Sequence, residues 1–216
     1  MNGKNIRNGW IFLGGGGDID QTEALDKDFF SHLKEKAHIL YIQAAMASDP
    51  QTLTSCSEWF SRLIEFQASD KNILFTMISD KDTSVSIEDY DAIYIGGGNT
   101  YKLLDFIKRN SLDIRLIKYI SQGGIVYGGS AGAIILGADI RTVSEENDSD
   151  YPNNKGLNLL DGLSLRCHYT DSDDSLLKSL PEILNHPVLA ITEESGIQIH
   201  GDQISITGKA VCFGRK

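Results

Sequence analysis

The chain has 216 residues, of which 41% are hydrophobic and 23% are charged, and its formal net charge is −10. This length fits one ordinary domain, so we expect residues 1–216 to form a single folded unit. An acidic chain without a basic patch is not expected to bind nucleic acid or an anionic membrane. Three scattered cysteines form no CxxC pair, and no apolar run reaches about 18 residues. We therefore predict a cytoplasmic protein with no metal ion, cofactor or membrane span.

The first two thirds of the chain alternate between apolar strand patterns and amphipathic helix patterns. The predicted strands cover residues 10–13, 38–42, 72–78, 91–95 and 125–127. The predicted helices cover 22–36, 50–63, a segment around 103–107, and 112–121. Because the strands are apolar on both faces, this alternation favours a mostly parallel sheet flanked by helices in a three-layer α/β fold. Active sites in such folds gather at the carboxyl ends of the strands.

The last third of the chain is less regular. The sequence predicts a strand at 163–167 that ends at His168, a helix at 176–184, a strand at 188–192, and a hairpin of 196–199 with 204–207. We expect the sheet to become mixed or antiparallel here, with the hairpin antiparallel.

Ser130 lies in the segment Gly128–Ala133, between an apolar strand pattern and an apolar helix pattern. Sequences of the GxSxG type hold a serine on a sharp strand-to-helix turn, with its hydroxyl exposed at the sheet edge. The N–H of Ala131 would then point to where an oxyanion could form. This pattern indicates a nucleophilic serine hydrolase.

A serine nucleophile needs a base, and the base needs an orienting acid. Of the five histidines, His168 is predicted at the end of a strand that could neighbour the Ser130 strand, so it is the candidate base. Glu193 follows the strand 188–192 and is the preferred orienting acid. Glu194, Glu145 and Glu146 are the other acidic candidates.

Two further glycine-rich turns are predicted at the same edge of the sheet. The segment Gly96–Thr100 fits a tight turn, a phosphate cradle at a helix N-terminus, or a set of N–H donors that completes an oxyanion hole. Neither GxGxxG nor GxxxxGK[ST] occurs, which favours the oxyanion interpretation. The run Gly14–Gly17 fits either a strand end or a close approach of substrate to the backbone.

The chain resembles the peptidase E family, the aspartyl dipeptidases, which are related to cyanophycinase. The matching motifs are Gly96–Thr100 and Gly128–Ala133, followed by Arg141-Thr142, His168-Tyr169 and Ile191–Glu193. The resemblance extends over most of the chain, from about residue 10 to residue 207. GGGNT together with GxSAGA at this separation is specific to the family.

The resemblance implies an α/β fold related to class I glutamine amidotransferases, with serine in place of their cysteine. It implies Ser130 as nucleophile, His168 as general base and then acid, and Glu193 as the orienting acid. Gly98 and Ala131 match the oxyanion donors. The order Ser, His, Glu differs from that of α/β-hydrolases. The remaining candidates are the supporting positions Asn99 and Glu145.

One loop departs from the family pattern. Aspartyl dipeptidases carry an arginine after the catalytic histidine, which recognises an acidic N-terminal residue. Here the segment Thr170–Asp174 has no arginine and is strongly acidic. An acidic rim would instead favour a free α-amino group or a basic side chain.

These observations predict a serine exopeptidase or dipeptidase that hydrolyses short peptides through an acyl-enzyme on Ser130. The alternatives are a small-molecule esterase or amidase with the same site, and a catalytically silent homologue that binds a ligand. We expect a monomer or a homodimer.

Overall fold

The computed structural model describes residues 8–82, 84–145, 147 and 152–214. The strands of these segments are β1 (Trp10–Gly14), β2 (Lys36–Ile42), β3 (Asn72–Ile78), β4 (Ala92–Ile95), β5 (Ile125–Gly129), β6 (Ser164–Arg166), β7 (Val188–Ile191), β8 (Gly196–His200), β9 (Gln203–Thr207) and β10 (Ala210–Phe213). The helices are α1 (Glu23–Ser31), α2 (Pro50–Gln67), α3 (Thr100–Arg109), α4 (Leu112–Ser121), α5 (Ala131–Ile134) and α6 (Asp174–Leu184).

Seven strands form the main sheet in the order β3-β2-β4-β5-β1-β8-β9. The first five are parallel, whereas β8 pairs antiparallel with β1 and β9 pairs antiparallel with β8. The prediction of a mostly parallel sheet flanked by helices, with an antiparallel hairpin near the C-terminus, is therefore confirmed. The carboxyl ends of β1, β4 and β5 lie side by side, which brings the three predicted glycine-rich turns to one edge.

The side chains of the central strands alternate between two hydrophobic cores. Along β1, Ile11 and Leu13 pack with α3, α4 and α5, whereas Phe12 packs with α1 and α2 on the opposite face. All three side chains are fully buried. Burial of a side chain of this size contributes roughly 1.5–3 kcal/mol, so both faces of the sheet hold the helix layers in place.

A second, three-stranded sheet has the order β10-β7-β6 and was not predicted. In it β6 pairs parallel with β7, and β10 pairs antiparallel with β7. Leu177, Leu180 and Leu184 of α6 pack on this sheet in a separate small core that includes Val188 and Phe213. The last third of the chain thus supplies both the antiparallel edge of the main sheet and a small sheet of its own.

Helix α1 ends earlier than the predicted helix 22–36. It stops at Ser31, and β2 begins at Lys36. Lys71 Nζ donates hydrogen bonds to the carbonyl oxygens of Phe30 and Leu33. These bonds satisfy carbonyl oxygens at the end of the helix and just beyond it. Leu33 lies after the helix end and is buried. No helix in the described segments is long and apolar enough to cross a membrane.

Candidate active site

Ser130 occupies a strained turn between β5 and α5. Its backbone has φ 51° and ψ −114°, a conformation that residues with a side chain rarely adopt. The turn is tight enough to require glycine on both sides of the serine. A Cβ on Gly132 would lie 2.2 Å from the carbonyl oxygen of Ile95, and one on Gly128 would lie 2.5 Å from that of Gly132. The serine is therefore presented at the carboxyl edge of the sheet by backbone geometry.

Ser130, His168 and Glu193 form a continuous hydrogen-bonded chain. Ser130 Oγ lies 2.7 Å from His168 Nε2, and His168 Nδ1 lies 2.8 Å from Glu193 Oε1. Gln21 Nε2 donates to the other carboxylate oxygen of Glu193 at 3.4 Å, a contact that the sequence did not suggest. The hydrogen bond with His168 lowers the pKa of Glu193, so this carboxylate is ionised at neutral pH.

The route by which His168 reaches Ser130 differs from the prediction. The strand before His168, β6, does not neighbour β5, because β5 is already paired with β4 and β1 on its two sides. Strand β6 belongs to the small sheet, as does β7, which precedes Glu193. The serine therefore comes from the main sheet, and the histidine and the glutamate come from the small one.

The run Gly14–Gly17 connects the two sheets by backbone hydrogen bonds to all three residues. Ser130 N donates to the oxygen of Gly14 at 3.1 Å, and His168 N donates to the oxygen of Gly15 at 3.0 Å. Gly17 N donates to the oxygen of Glu193 at 3.1 Å. The sequence left the role of this run open, and the structure gives it a positioning role.

The turn Gly96–Gly98 lies beside Ser130. A Cβ on Gly97 would lie 3.7 Å from Ser130 Oγ, which places this glycine directly beside the serine. Gly98 has φ +131° and packs against the carbonyl of Ala45. Within the described segments, no hydrogen-bond acceptor is assigned to the N–H groups of Gly97, Gly98 or Ala131. These three groups thus have no acceptor of their own within the described segments, and the oxyanion role of Gly98 and Ala131 stays a prediction.

Asn99 and Glu145 lie at the N-terminus of α3. Asn99 Oδ1 accepts a hydrogen bond from Lys102 N at 3.0 Å and caps the helix. Glu145 Oε1 accepts from Thr100 N at 2.9 Å. Both predicted supporting residues thus hold the helix that follows the Gly96–Gly98 turn. The alternative acidic candidate Glu146 lies outside the described residues.

Each aspartate of the acidic rim forms an ion pair with a neighbouring side chain. Asp171 pairs with Lys209 at 2.5 Å, Asp173 with Arg166 at 3.2 Å, and Asp174 with Lys178 at 3.0 Å. Carboxylates that already have cationic partners attract a substrate amine weakly. Whether this rim favours an α-amino group or a basic side chain stays a prediction from the sequence.

A cavity of about 620 Å³ opens beside Ser130. The carboxyl ends of β1, β2, β4 and β5 form its floor, and α2 forms one wall. Its aromatic lining consists of Tyr41, Trp59, Tyr94 and Tyr127. A volume in this range is typical of a small-molecule site. The described residues include no cluster of three or more His, Cys, Asp or Glu side chains that could hold a metal ion.

Two cysteines lie near the site without being placed to act as nucleophiles. Cys167 Sγ is 3.7 Å from the carbonyl oxygen of Ser130, and burial raises the pKa of this thiol. Cys56 lines the cavity and is also buried. The buried Cys167 thiol, with its raised pKa, is a poor nucleophile.

A serine, a histidine and a carboxylate joined in this order, on the carboxyl edge of a mostly parallel α/β sheet, define the class of serine hydrolases. The chain belongs to peptidase family S51, whose family model matches residues 11–207.

Comparison with individual proteins agrees with this family. The chain is 28% identical over 139 residues to peptidase E of Streptomyces coelicolor and 30% identical over 158 residues to peptidase E of Shewanella denitrificans. These matches cover 59% and 68% of the chain but only 56% and 66% of the two relatives. The crystal structure of a peptidase from an acI-B1 Actinobacterium superimposes with a TM-score of 0.69 at 18% identity, over 100% of this chain and 98% of that one. This structural similarity establishes the fold.

Proposed function

We propose that the protein is a serine exopeptidase or dipeptidase that hydrolyses short peptides through an acyl-enzyme on Ser130. The observation that carries this proposal is the 2.7 Å distance between Ser130 Oγ and His168 Nε2, which is the contact that a general base needs. A cytoplasmic location, and a monomeric or homodimeric state, remain predictions from the sequence.

In the acylation step, Ser130 Oγ attacks the carbonyl carbon of the scissile bond and transfers its proton to His168 Nε2. This transfer requires that the neutral imidazole carry its own proton on Nδ1, and Glu193 Oε1 lies 2.8 Å away to accept that N–H. The ionised carboxylate also stabilises the imidazolium that forms. His168 then gives the proton from Nε2 to the leaving amine, and the C–N bond breaks.

The negative charge that develops on the carbonyl oxygen needs hydrogen-bond donors fixed in advance. We assign this role to the N–H groups of Gly98 and Ala131, with Gly97 as a third donor. The loss of one such donor typically costs about 3–4 kcal/mol of transition-state stabilisation. In the second half of the reaction, water attacks the acyl-enzyme, with His168 again taking and then returning the proton.

The test combines a covalent probe with a substrate library. We expect a fluorophosphonate to label the wild-type protein at Ser130, which peptide mapping by mass spectrometry would locate. Ser130→Ala should abolish labelling and turnover of dipeptides while the circular dichroism spectrum stays unchanged. Hydrolysis of acyl esters without turnover of any dipeptide would replace the proposal with an esterase. Failure of Ser130 to react at all would identify a silent homologue.

A further inference from the structure

We propose that the cavity beside Ser130 binds an aromatic side chain that carries a hydrogen-bond donor, that is, tyrosine or tryptophan. The side chain belongs to the residue on the acyl side of the scissile bond. This inference rests on the proposed peptidase function and names the substrate class of the same site.

The walls of the cavity favour an aromatic guest. The rings of Tyr94 and Tyr127 are stacked at a centroid distance of 4.4 Å, and Trp59 lies 6.2 Å from Tyr94. Tyr94 and Tyr127 are almost fully buried in the protein, so their positions are fixed by packing. Met46 adds an exposed thioether to the lining. Contacts between rings, and between sulfur and a ring, add favourable free energy to that from the burial of apolar area.

Gln43 supplies an acceptor that the protein itself leaves unused. This side chain is 5% exposed and lines the cavity. Its Nε2 donates to Cys56 Sγ at 3.3 Å, whereas its Oε1 has no hydrogen-bond partner in the described structure. A Cβ on Gly96 would lie 2.8 Å from Oε1, so glycine at this position keeps the acceptor uncrowded. A buried unpaired acceptor is unfavourable, and a guest O–H or N–H would satisfy it.

The charges around the cavity argue against an acidic or a basic guest. Among the described lining residues, Arg62 alone carries a formal charge, and its side chain is exposed. Arg62 also lines a neighbouring surface depression with Asp18 and Glu65, which places it at the rim rather than at the floor. An ionised guest side chain that reached Gln43 would lose its hydration without gaining an opposite charge.

The position of the cavity relative to the catalytic chain selects the acyl side. Ser130 lines the cavity, but His168 and Glu193 do not. The leaving amine must lie next to His168 Nε2 to receive its proton. The residue that stays attached to Ser130 is therefore the one whose side chain can enter the cavity.

The first experiment measures binding without turnover. Isothermal titration of the Ser130→Ala protein with Xaa-Ala dipeptides should give dissociation constants for Tyr-Ala and Trp-Ala about tenfold or more below that for Asp-Ala. The dissociation constant for Phe-Ala should lie between those for the Tyr and Trp dipeptides and that for Asp-Ala, because phenylalanine fills the cavity without a group that can donate to Gln43 Oε1. In the wild-type protein, kcat/KM should be highest for Tyr-Ala and Trp-Ala, lower for Phe-Ala and lowest for Asp-Ala. A preference confined to Ala-Xaa dipeptides would overturn the acyl-side assignment.

The second experiment uses variants of the lining. Gln43→Leu keeps the volume but removes the acceptor, so it should reduce the ratio of Tyr-Ala to Phe-Ala affinity towards one. Trp59→Ala should weaken the binding of all aromatic dipeptides. The matched control is Phe66→Ala, which changes an exposed aromatic residue of the same helix outside the cavity. The same lining substitutions made with Ser130 in place are treated with the fluorophosphonate, and the labelling rate reports whether each variant keeps an intact site.

The outcomes separate this inference from the proposed function. Uniform dissociation constants across the Xaa-Ala series would overturn the inference, even if Ser130 is labelled and peptides are hydrolysed. A preference for Asp-Ala that disappears in Arg62→Gln would overturn it as well and would make the cavity an acidic subsite. Absence of labelling and turnover would refute the peptidase, whereas the binding order in Ser130→Ala would still decide what the cavity binds.

Discussion

Gly16 lies directly against the imidazole ring of His168. A Cβ on Gly16 would be 2.3 Å from Cε1 and 2.4 Å from Nε2 of that ring, and 3.0 Å from Ser130 Cβ. Atoms cannot approach this closely, so any side chain at position 16 would occupy the space in which the serine and the histidine meet. The absence of a side chain is thus a requirement of the 2.7 Å contact between them.

Gly16→Ala should therefore inactivate the enzyme by moving His168. Misplacement of a catalytic group by about 1 Å can cost on the order of 100-fold in rate, and we expect a loss of that size in kcat/KM. The backbone at Gly16 also has φ +102°, which alanine adopts only with strain. Gly123→Ala is the matched control, since Gly123 has φ +98° and a Cβ there would meet no atom within 4 Å. Equal losses of activity in the two variants would attribute the effect to backbone strain.

Glu193→Gln tests whether the carboxylate orients His168. The amide has the same shape but no charge, so it neither fixes the tautomer nor stabilises the imidazolium. We expect kcat to fall by about 10²–10⁴-fold with little change in thermal stability. Glu194→Gln changes the adjacent exposed carboxylate and should leave kcat within about twofold. Retention of full activity in Glu193→Gln would remove this residue from the proposed mechanism.

Asn99→Ala tests a supporting role through the helix cap. Loss of the bond from Lys102 N to Asn99 Oδ1 should reduce the free energy of unfolding by about 1 kcal/mol, measured by urea denaturation. The labelling rate of Ser130 should change much less than in Glu193→Gln, because Asn99 acts on α3 rather than on the reacting atoms. A loss of labelling without any loss of stability would place Asn99 in the catalytic site itself.

Asp26 should make the stability of the protein depend on pH. Burial raises the pKa of this carboxyl from 3.8 to about 6, partly opposed by the hydrogen bond from Thr22. The folded state therefore binds the proton more tightly than the unfolded state does. The associated stabilisation is fully present below about pH 3.8 and is lost as the pH rises through about 6, a change on the order of 3 kcal/mol.

The measurement is the free energy of unfolding between pH 4 and pH 7 for wild type and Asp26→Asn. The amide does not titrate, so the free energy of unfolding of Asp26→Asn should decline less than that of wild type over this interval, by about the contribution given above for Asp26. Asp70→Asn, which changes an exposed carboxylate, should keep the wild-type slope. If Asp26→Asn retained that slope as well, a different group would be responsible for it.

The elements that local pattern determines were predicted well. The strand Asn72–Ile78 and the helix Leu112–Ser121 have the predicted bounds, because hydrophobic periodicity and helix-end residues act within a few positions of the chain. Ser130 was placed correctly on its turn for the same reason, since a glycine-rich segment between strand and helix is a local signal.

Relationships between distant segments were not available from the pattern. Nothing in the residues before His168 indicates that β6 pairs with β7 rather than with a strand of the main sheet. The role of Gly14–Gly17 was equally hidden, because its hydrogen bonds are made by backbone atoms that every residue type shares. The ion pair of Asp171 with Lys209 joins residues that are 38 positions apart, so local pattern could not reveal it.

The division of the proposed catalytic residues between two sheets has a consequence for how the protein loses activity. Ser130 is fixed to the large sheet, whereas His168 and Glu193 move with the small one, and the glycine run Gly14–Gly17 joins them. Leu165 of β6 and Ile191 of β7 also pack in the core of the large sheet, so the two sheets share hydrophobic contacts, and a shift between them of one atomic diameter would disconnect the hydrogen-bonded chain. Activity should therefore be lost at a lower denaturant concentration than secondary structure. The loss of activity then reports a change in how the two sheets pack against each other.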